Sequence, residues 1–388
     1  MSKIFKNETG AALVITLAVV AALLATVFHL TRLSTGSMII TSFKKDQFQA
    51  EQLALSGIDL CKMILTGDAQ INKIDSVQEP WADSDMLSQA VNELNLGKET
   101  LTIKITDELS KIQVNALIQE FPGHKIDPDQ EKIWYNLLNL VISSDKSIDE
   151  RNPEEIINCM KDWMDSEDDD ATTGLSGAES DYYLNLDIPY ECANGPFNHV
   201  NELFNVKGIT KDLLKSKISD AFIDLPEIDE GLSDAKLIED RLSDVFTIYG
   251  LNKQKTNKGG FSYSGKININ TAGVYVLAAL IPKKKEDAWD LAQELVDFRE
   301  LKTEQEDSFV NSLDNGWYEK VITDLSQKEK NQFKRTIKYS SDIFKVESTA
   351  KKNDASVTFI AFLKREKYKE SQKWMCRTIQ IEREYNNL

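Results

Sequence analysis

Residues 11–30, AALVITLAVVAALLATVFHL, stand directly behind the leader MSKIFKNETG, and the fate of this stretch decides how the rest of the chain is built. Twenty residues pass without a charge, enough for a helix to cross the hydrocarbon core of a bilayer. Leu, Val and Ala dominate the run, and a helix satisfies every backbone polar group from within. Lys3 and Lys6 precede it. The positive-inside preference therefore puts the N-terminus in the cytoplasm and the remaining chain outside. A plain membrane anchor and a cleaved secretory signal are two readings of the run. A signal wants a shorter apolar region followed by a small-x-small site, whereas here HLTRLSTGSMII carries on in helical style.

A third reading rests on the leader. A basic leader ending in Gly10, an unbroken apolar helix from Ala11, and a polar helix following without a break together resemble the prepilin signal of type IV pilin-like proteins. That resemblance implies a membrane peptidase cutting between Gly10 and Ala11, an apolar helix retained on the mature chain, and an N-methylated Ala11. Pilin-like proteins mostly carry Glu as the fifth residue after the cut; here the position is Ile15, and the run holds no acid. Among pseudopilins, this omission is typical of the K-type minor subunit of type II secretion. There it is explained by a place at the fibre tip, with no neighbouring amine above to neutralise.

The 388 residues suggest two or three domains. Sixty-three acidic against 46 basic residues give a net charge of −17, a surface that repels nucleic acid and anionic lipid. Three scattered histidines, none beside a cysteine pair, argue against zinc.

Over residues 31–66 apolar positions recur every three or four residues, from Leu33 through Phe43, Leu53 and Ile58 to Ile64, with no proline. The spacing predicts one helix from Ala11 to about Leu65, roughly 80 Å long, or two helices broken near Ser34-Thr35-Gly36. From Lys98 the period becomes two. Residues 99–106 alternate, Asp107 to Ser110 turn, and Lys111 to Asn115 alternate again, which predicts a β-hairpin. Phe344–Ser348, Ser356–Arg365 and Trp374–Arg383 predict three further strands. The fold class is α+β: a long N-terminal transmembrane and stem helix and a pilin-like antiparallel sheet, with a large mainly helical domain inserted between the second and third strands. The expected divisions are leader 1–10, helix 11–66, first pilin-like part 67–116, inserted domain 117–338 and C-terminal strands 339–388.

Within the insertion, Lys161-Asp162-Trp163-Met164-Asp165-Ser166-Glu167-Asp168-Asp169-Asp170 runs on through Gly174 and Gly177 to Glu179 and Asp181. So dense a group of acids is either a solvated loop or a site for a hard divalent cation with oxygen ligands, which points to Ca²⁺. Counted from Asp168 as first position, Asp170 is third, Thr172 fifth, Ser176 ninth and Glu179 twelfth. This is EF-hand spacing, but Thr173 stands where the sharp-turn glycine belongs.

Asp162-Trp163-Met164-Asp165-Ser166-Glu167-Asp168, Gly177-Ala178-Glu179, Asp181-Tyr182-Tyr183, Asn194-Gly195-Pro196-Phe197 and Asn201-Glu202-Leu203 resemble, in order and spacing, the run that marks the K-type pseudopilins, the GspK family. The segments around Asp107–Leu117 and Ile267–Ala272 resemble the family too. The resemblance implies a structural Ca²⁺ in the α-domain, carried onto Asp165, Glu167, Asp168, Asp170, Glu179 and Asp181. It also implies a single-pass protein of the bacterial inner membrane with its bulk in the periplasm. The partners implied are the I-type and J-type minor pseudopilins in a tip complex, the prepilin peptidase, and the secretin or a secreted substrate. The role implied is assembly and export without catalysis. The rival is a membrane-anchored extracytoplasmic calcium-binding protein or enzyme outside any fibre. Four cysteines allow three pairings; proximity in sequence favours Cys159 with Cys192, leaving Cys61 with Cys376, against four free thiols.

Two stretches resemble helix-hairpin-helix modules: Glu202–Thr210, and Asn268–Ala272 with the helical pattern that ends at Arg299. After Leu280 the second has Ile281-Pro282-Lys283-Lys284-Lys285, basic but without the glycines of a hairpin that meets phosphate, and the acidic charge opposes DNA. Gly260–Lys266 has the Gly and Lys spacing of a phosphate loop, but Ile267 replaces the Mg²⁺-binding hydroxyl. No GxSxG, HExxH or Cys-His constellation occurs.

Overall fold

The structure, a computed structural model, describes residues 9–94, 97, 99–142, 152–166, 173, 176–210, 245–252, 259–303, 308–368 and 372–384. Helix α1, Thr9–Ile71, runs unbroken for 63 residues straight through Ser34-Thr35-Gly36. Its first half is long and apolar enough to cross a membrane, and side chains such as Leu13, Val20, Phe28 and Ile39 are exposed. From Ala50 one stripe is buried: Ala50, Ala54, Ile58, Cys61 and Leu65, spaced by three and four. Small residues let the sheet come close. The Ser348 hydroxyl donates to the Ala54 carbonyl at 2.7 Å, and a Cβ at Gly57 would run into that same hydroxyl.

Helix α2, Ser84–Asn92, leads to strand β1, Thr100–Asp107. Next come β2, Ile112–Gln113; α3, Pro128–Ile142; α4, Pro153–Met164; α5, Ser180–Leu184; β3, Phe246–Thr247; and β4, Ile267–Asn268. Helices α6, Val274–Leu280, α7, Lys285–Glu300, and α8, Gln327–Thr336, precede β5, Ile337–Lys338. The chain closes with β6, Ile343–Lys352, β7, Ala355–Lys367, and β8, Trp374–Glu384. The main sheet has the order β1-β6-β7-β8, every pair antiparallel. Its alternation is that of a sheet with one buried face: Leu101, Ile103 and Ile105 turn in against α1 while Thr100, Thr102 and Lys104 turn out. The tight β6–β7 turn places Asn353 at φ 50°, a conformation that asparagine tolerates better than most residues.

The hairpin expected over 99–115 does not form. β1 pairs with β6, more than two hundred residues on, and β2 pairs in parallel with β3. The physical reason lies in residues 107–117. Asp107 accepts from Leu109 N–H and caps a 3₁₀ turn over Glu108–Ser110. Beyond it every residue from Ile112 to Leu117 is buried, so this segment has no face to offer solvent as an outer strand must. The helical body is therefore inserted between the first and second strands of the sheet, not between the second and third.

Two cores result. One lies between α1 and the sheet; the other fills the inserted body, with Trp134 stacked on Phe246 at 4.9 Å and Phe298 on Trp317 at 5.6 Å. A buried polar junction joins them. Asp107 Oδ2 accepts from Asn268 Nδ2 at 2.8 Å, Ser341 Oγ at 2.7 Å and Thr271 Oγ1. Asp75 Oδ2 accepts from Ser341 N–H at 2.7 Å, and Arg365 Nη2 reaches both Asp75 oxygens at 2.6 and 2.7 Å. Glu79 accepts from Trp81 Nε1 at 2.8 Å and from Ser76 N–H.

Burial lifts the Asp75 carboxyl to about 6 against the pull of Arg365. Burial, and then the Asp68 charge, lifts Glu79 to about 7. Both folded values lie above those of unfolded carboxylates, about 3.9 and 4.3. Protonating them thus favours the folded state: the stabilisation is complete below about pH 4 and is lost as pH rises through 6 and 7. The unfolding temperature of the full chain in detergent is expected to rise by about 4 °C from pH 8 to pH 5. Glu79→Gln should remove about half of that rise; a wild-type profile identical to the variant's would count against the assignment.

Candidate metal centre

Helix α4 sets the site. Asn152 caps its start by accepting from Glu154 N–H, and Pro153 fills the first position, where its missing N–H costs nothing. Ile156, Ile157, Met160, Trp163 and Met164 sink into the core of the inserted body. The last turn delivers Asp162, and Asp165 follows as the C-cap. The returning arm brings Glu179, the residue ahead of α5. Asp162, Asp165 and Glu179 are all buried, and one carboxylate oxygen from each lies within 4.8 Å of the others.

The loop closes over them. Thr173 N–H donates to both oxygens of Asp162 at 3.2 and 3.1 Å, and Gly177 N–H donates to the Thr173 carbonyl at 3.2 Å. A Cβ at Gly177 would run into Asp162 Oδ2 and the Thr173 backbone, so only glycine permits this approach. Lys161 Nζ lies 3.4 Å from Asp165 Oδ2 and donates to Thr173 Oγ1 at 2.6 Å. Lys207 Nζ donates to the Ser176 carbonyl at 3.4 Å and sits over the Tyr182 ring. Trp163, packed edge-on against Tyr183 with ring centroids 5.0 Å apart, walls off the inner side. Three converging buried carboxylates, with one lysine against them, form the all-oxygen donor set that Ca²⁺ takes, so the residues fit the expected ion.

Of the six expected ligands, Asp165 and Glu179 come together here. Asp181 does not: it is exposed on α5. The period of the short helix turns its neighbour Tyr183 inward instead. Glu167, Asp168 and Asp170 lie outside the described residues, as does most of the EF-hand count that starts at Asp168. Asp162, the third carboxylate of the cluster, is not among the residues the sequence pointed to as ligands. Its signal is an acid three residues after Cys159 and six after Ile156, on the buried row of α4.

All four cysteines are free thiols in the structure. Neither expected pair is joined there. Cys159 Sγ donates instead to the Ser176 carbonyl at 3.2 Å, and burial raises its thiol to about 11. The two helix-hairpin-helix-like stretches place Leu203, Val206 and Ile209, and Ile269 and Ala272, in the core of the inserted body. Asn268 belongs to the polar junction, and Asn270 Oδ1 accepts from the buried Trp317 Nε1 at 2.7 Å.

A long helix, apolar and exposed in its first half and laid on an antiparallel sheet in its second, carries a helical body set into that sheet after its first strand. Residues 110–217 match the sequence family described as Type II secretion system (T2SS), protein K. The Type II secretion system protein K of Pectobacterium carotovorum subsp. carotovorum is 26% identical over 213 residues, which is 54% of this chain and 61% of that protein. The match thus spans less than two thirds of that relative's length. A chain of the GspK-GspI-GspJ complex from the enterotoxigenic Escherichia coli type 2 secretion system shares the fold, with a TM-score of 0.56 at 17% identity over 89% of this chain and 99% of that one. All three comparisons point the same way, and the sequence match to the protein K family of type II secretion rests on residues 110–217.

Proposed function

We propose that the protein is a minor pseudopilin of type II secretion, placed at the tip of the pseudopilus together with I-type and J-type subunits, where it primes assembly and assists export across the outer membrane. The observation that carries this reading is α1. Its inner half is apolar and exposed, while its outer half is clamped to a sheet. That is the build of a subunit which waits in a membrane and then packs its helix beside others. The bulk of the body set on that sheet favours the tip on steric grounds. The chain of similar fold comes from a crystallised GspK-GspI-GspJ complex, and this supports partners of those types.

Under this reading the inner membrane holds α1 with the leader in the cytoplasm and the bulk in the periplasm. The prepilin peptidase cuts after Gly10, and Ala11 is methylated. The secretin or a secreted substrate meets the exposed body, and the work is non-catalytic. A structural Ca²⁺ is held by Asp162, Asp165 and Glu179, with further oxygens from the acidic loop. The N-terminus tests the reading. Intact mass of the native protein should begin at Ala11, with the added mass of a methyl group. A chain still beginning at Met1 would favour the anchored protein that joins no fibre, and one beginning beyond Leu30 a cleaved secretory signal; either would overturn the reading.

A further inference from the structure

We propose that Cys61 of the stem helix and Cys376 of the last strand are joined by a disulfide, which fastens the outer strand of the sheet to the helix. Within the sheet β8 pairs with β7 alone and stands at the edge. Cys376 is directly opposite Arg365 in that ladder, and directly opposed residues project from the same face. Arg365 shows which face this is: its Nη1 donates to the Leu65 carbonyl of α1 at 3.2 Å. Cys61 lies one helical turn before Leu65 on the buried stripe, is wholly buried, and shares its core with Cys376. Strand register and helix period therefore bring both thiols into the same core from opposite sides, near enough for the charge of one to act on the other.

In forming the bond the two thiols give up two protons and two electrons to a disulfide donor, which leaves as a dithiol. Burial pushes Cys61 up to about 12 and Cys376 to about 11. Little thiolate is available once β8 has docked, so exchange takes place while the strand is still loose, and the closed bond is shielded afterwards. In the cell this rests on the reading above, which puts the sheet in an oxidising compartment.

The test is made in a defined redox buffer, so its outcome stands apart from that reading. The purified full chain is refolded in detergent with reduced and oxidised glutathione, alkylated, and digested without reductant. A cross-linked peptide pair containing Cys61 and Cys376 is expected. Full alkylation of both cysteines, or linkage of either to Cys159 or Cys192, would overturn the proposal. Cys376→Ala gives a second measurement. Its unfolding temperature should match the wild type in dithiothreitol and fall about 5 °C or more below it after oxidation; equal values after oxidation would also overturn it.

Discussion

Arg365→Met is expected to destabilise the folded chain by about 3–5 kcal/mol, because it leaves buried carboxylates without their counter-charge. Arg365 Nη2 binds Asp75 and donates to the Ser341 carbonyl at 2.9 Å; Nη1 binds Asp68 at 2.9 Å and the Leu65 carbonyl. The guanidinium also lies over the rings of Phe344 and Trp374. One side chain on β7 thus reaches the end of α1, the loop after it, and the strand that brings the chain back from the inserted body. Lysine cannot reproduce this, since a point charge on a flexible stem lacks the planar fork that meets two carboxylates and two carbonyls together. Arg365→Lys should fall between wild type and Arg365→Met. In the double variant Arg365→Met/Asp75→Asn one buried charge is gone, and at least a third of the lost stability should return. Chemical denaturation of the full chain in detergent reads all three. A loss below about 1 kcal/mol for Arg365→Met would mean that the junction is wet and open rather than dry and paired.

That junction was invisible in the sequence, and the reason is physical. The stem helix could be read because its signal is local: Ala50, Ala54, Ile58, Cys61 and Leu65 repeat with the helical period, and the sheet they meet need not be known. Strands β6 to β8 were legible for the same reason, from alternation bounded by charged turns at Lys351–Asp354 and Lys367–Lys373. Pairing is not local. Alternation over Lys111–Asn115 looks the same whether the segment folds back on β1 or enters a second core, and only the complete burial of residues 112–117 distinguishes the two. Arg365 in a strand of mixed charge reads as a surface residue until its partners, 290 and 297 residues earlier, are in place. The acidic loop was legible as chemistry and only half legible as geometry. Asp165 and Glu179 converge, Asp181 turns away on a five-residue helix, and Asp162 is hidden in the buried row of α4.

The convergence of Asp162, Asp165 and Glu179 predicts opposite responses to one substitution, depending on calcium. Without an ion, three carboxylates held within 4.8 Å of one another repel at low exposure, with Lys161 the near counter-charge. Glu179→Gln removes one of those charges at nearly constant shape. In EDTA the variant is expected to unfold at the same temperature as the wild type or a few degrees higher. With Ca²⁺ the order reverses. An ion bound by the folded state alone stabilises the wild type by about 4 kcal/mol at a thousandfold excess over its dissociation constant, while the variant, one anionic ligand short, should gain little. Gly177→Ala makes the complementary case: it keeps every carboxylate but forces the loop off Asp162, so stability in EDTA and the response to Ca²⁺ should both fall. Thermal unfolding of the full chain in detergent, in EDTA and in millimolar CaCl₂, separates these outcomes. If wild type and Glu179→Gln respond alike to Ca²⁺, the three carboxylates do not hold the ion, and the acidic loop is only a solvated surface.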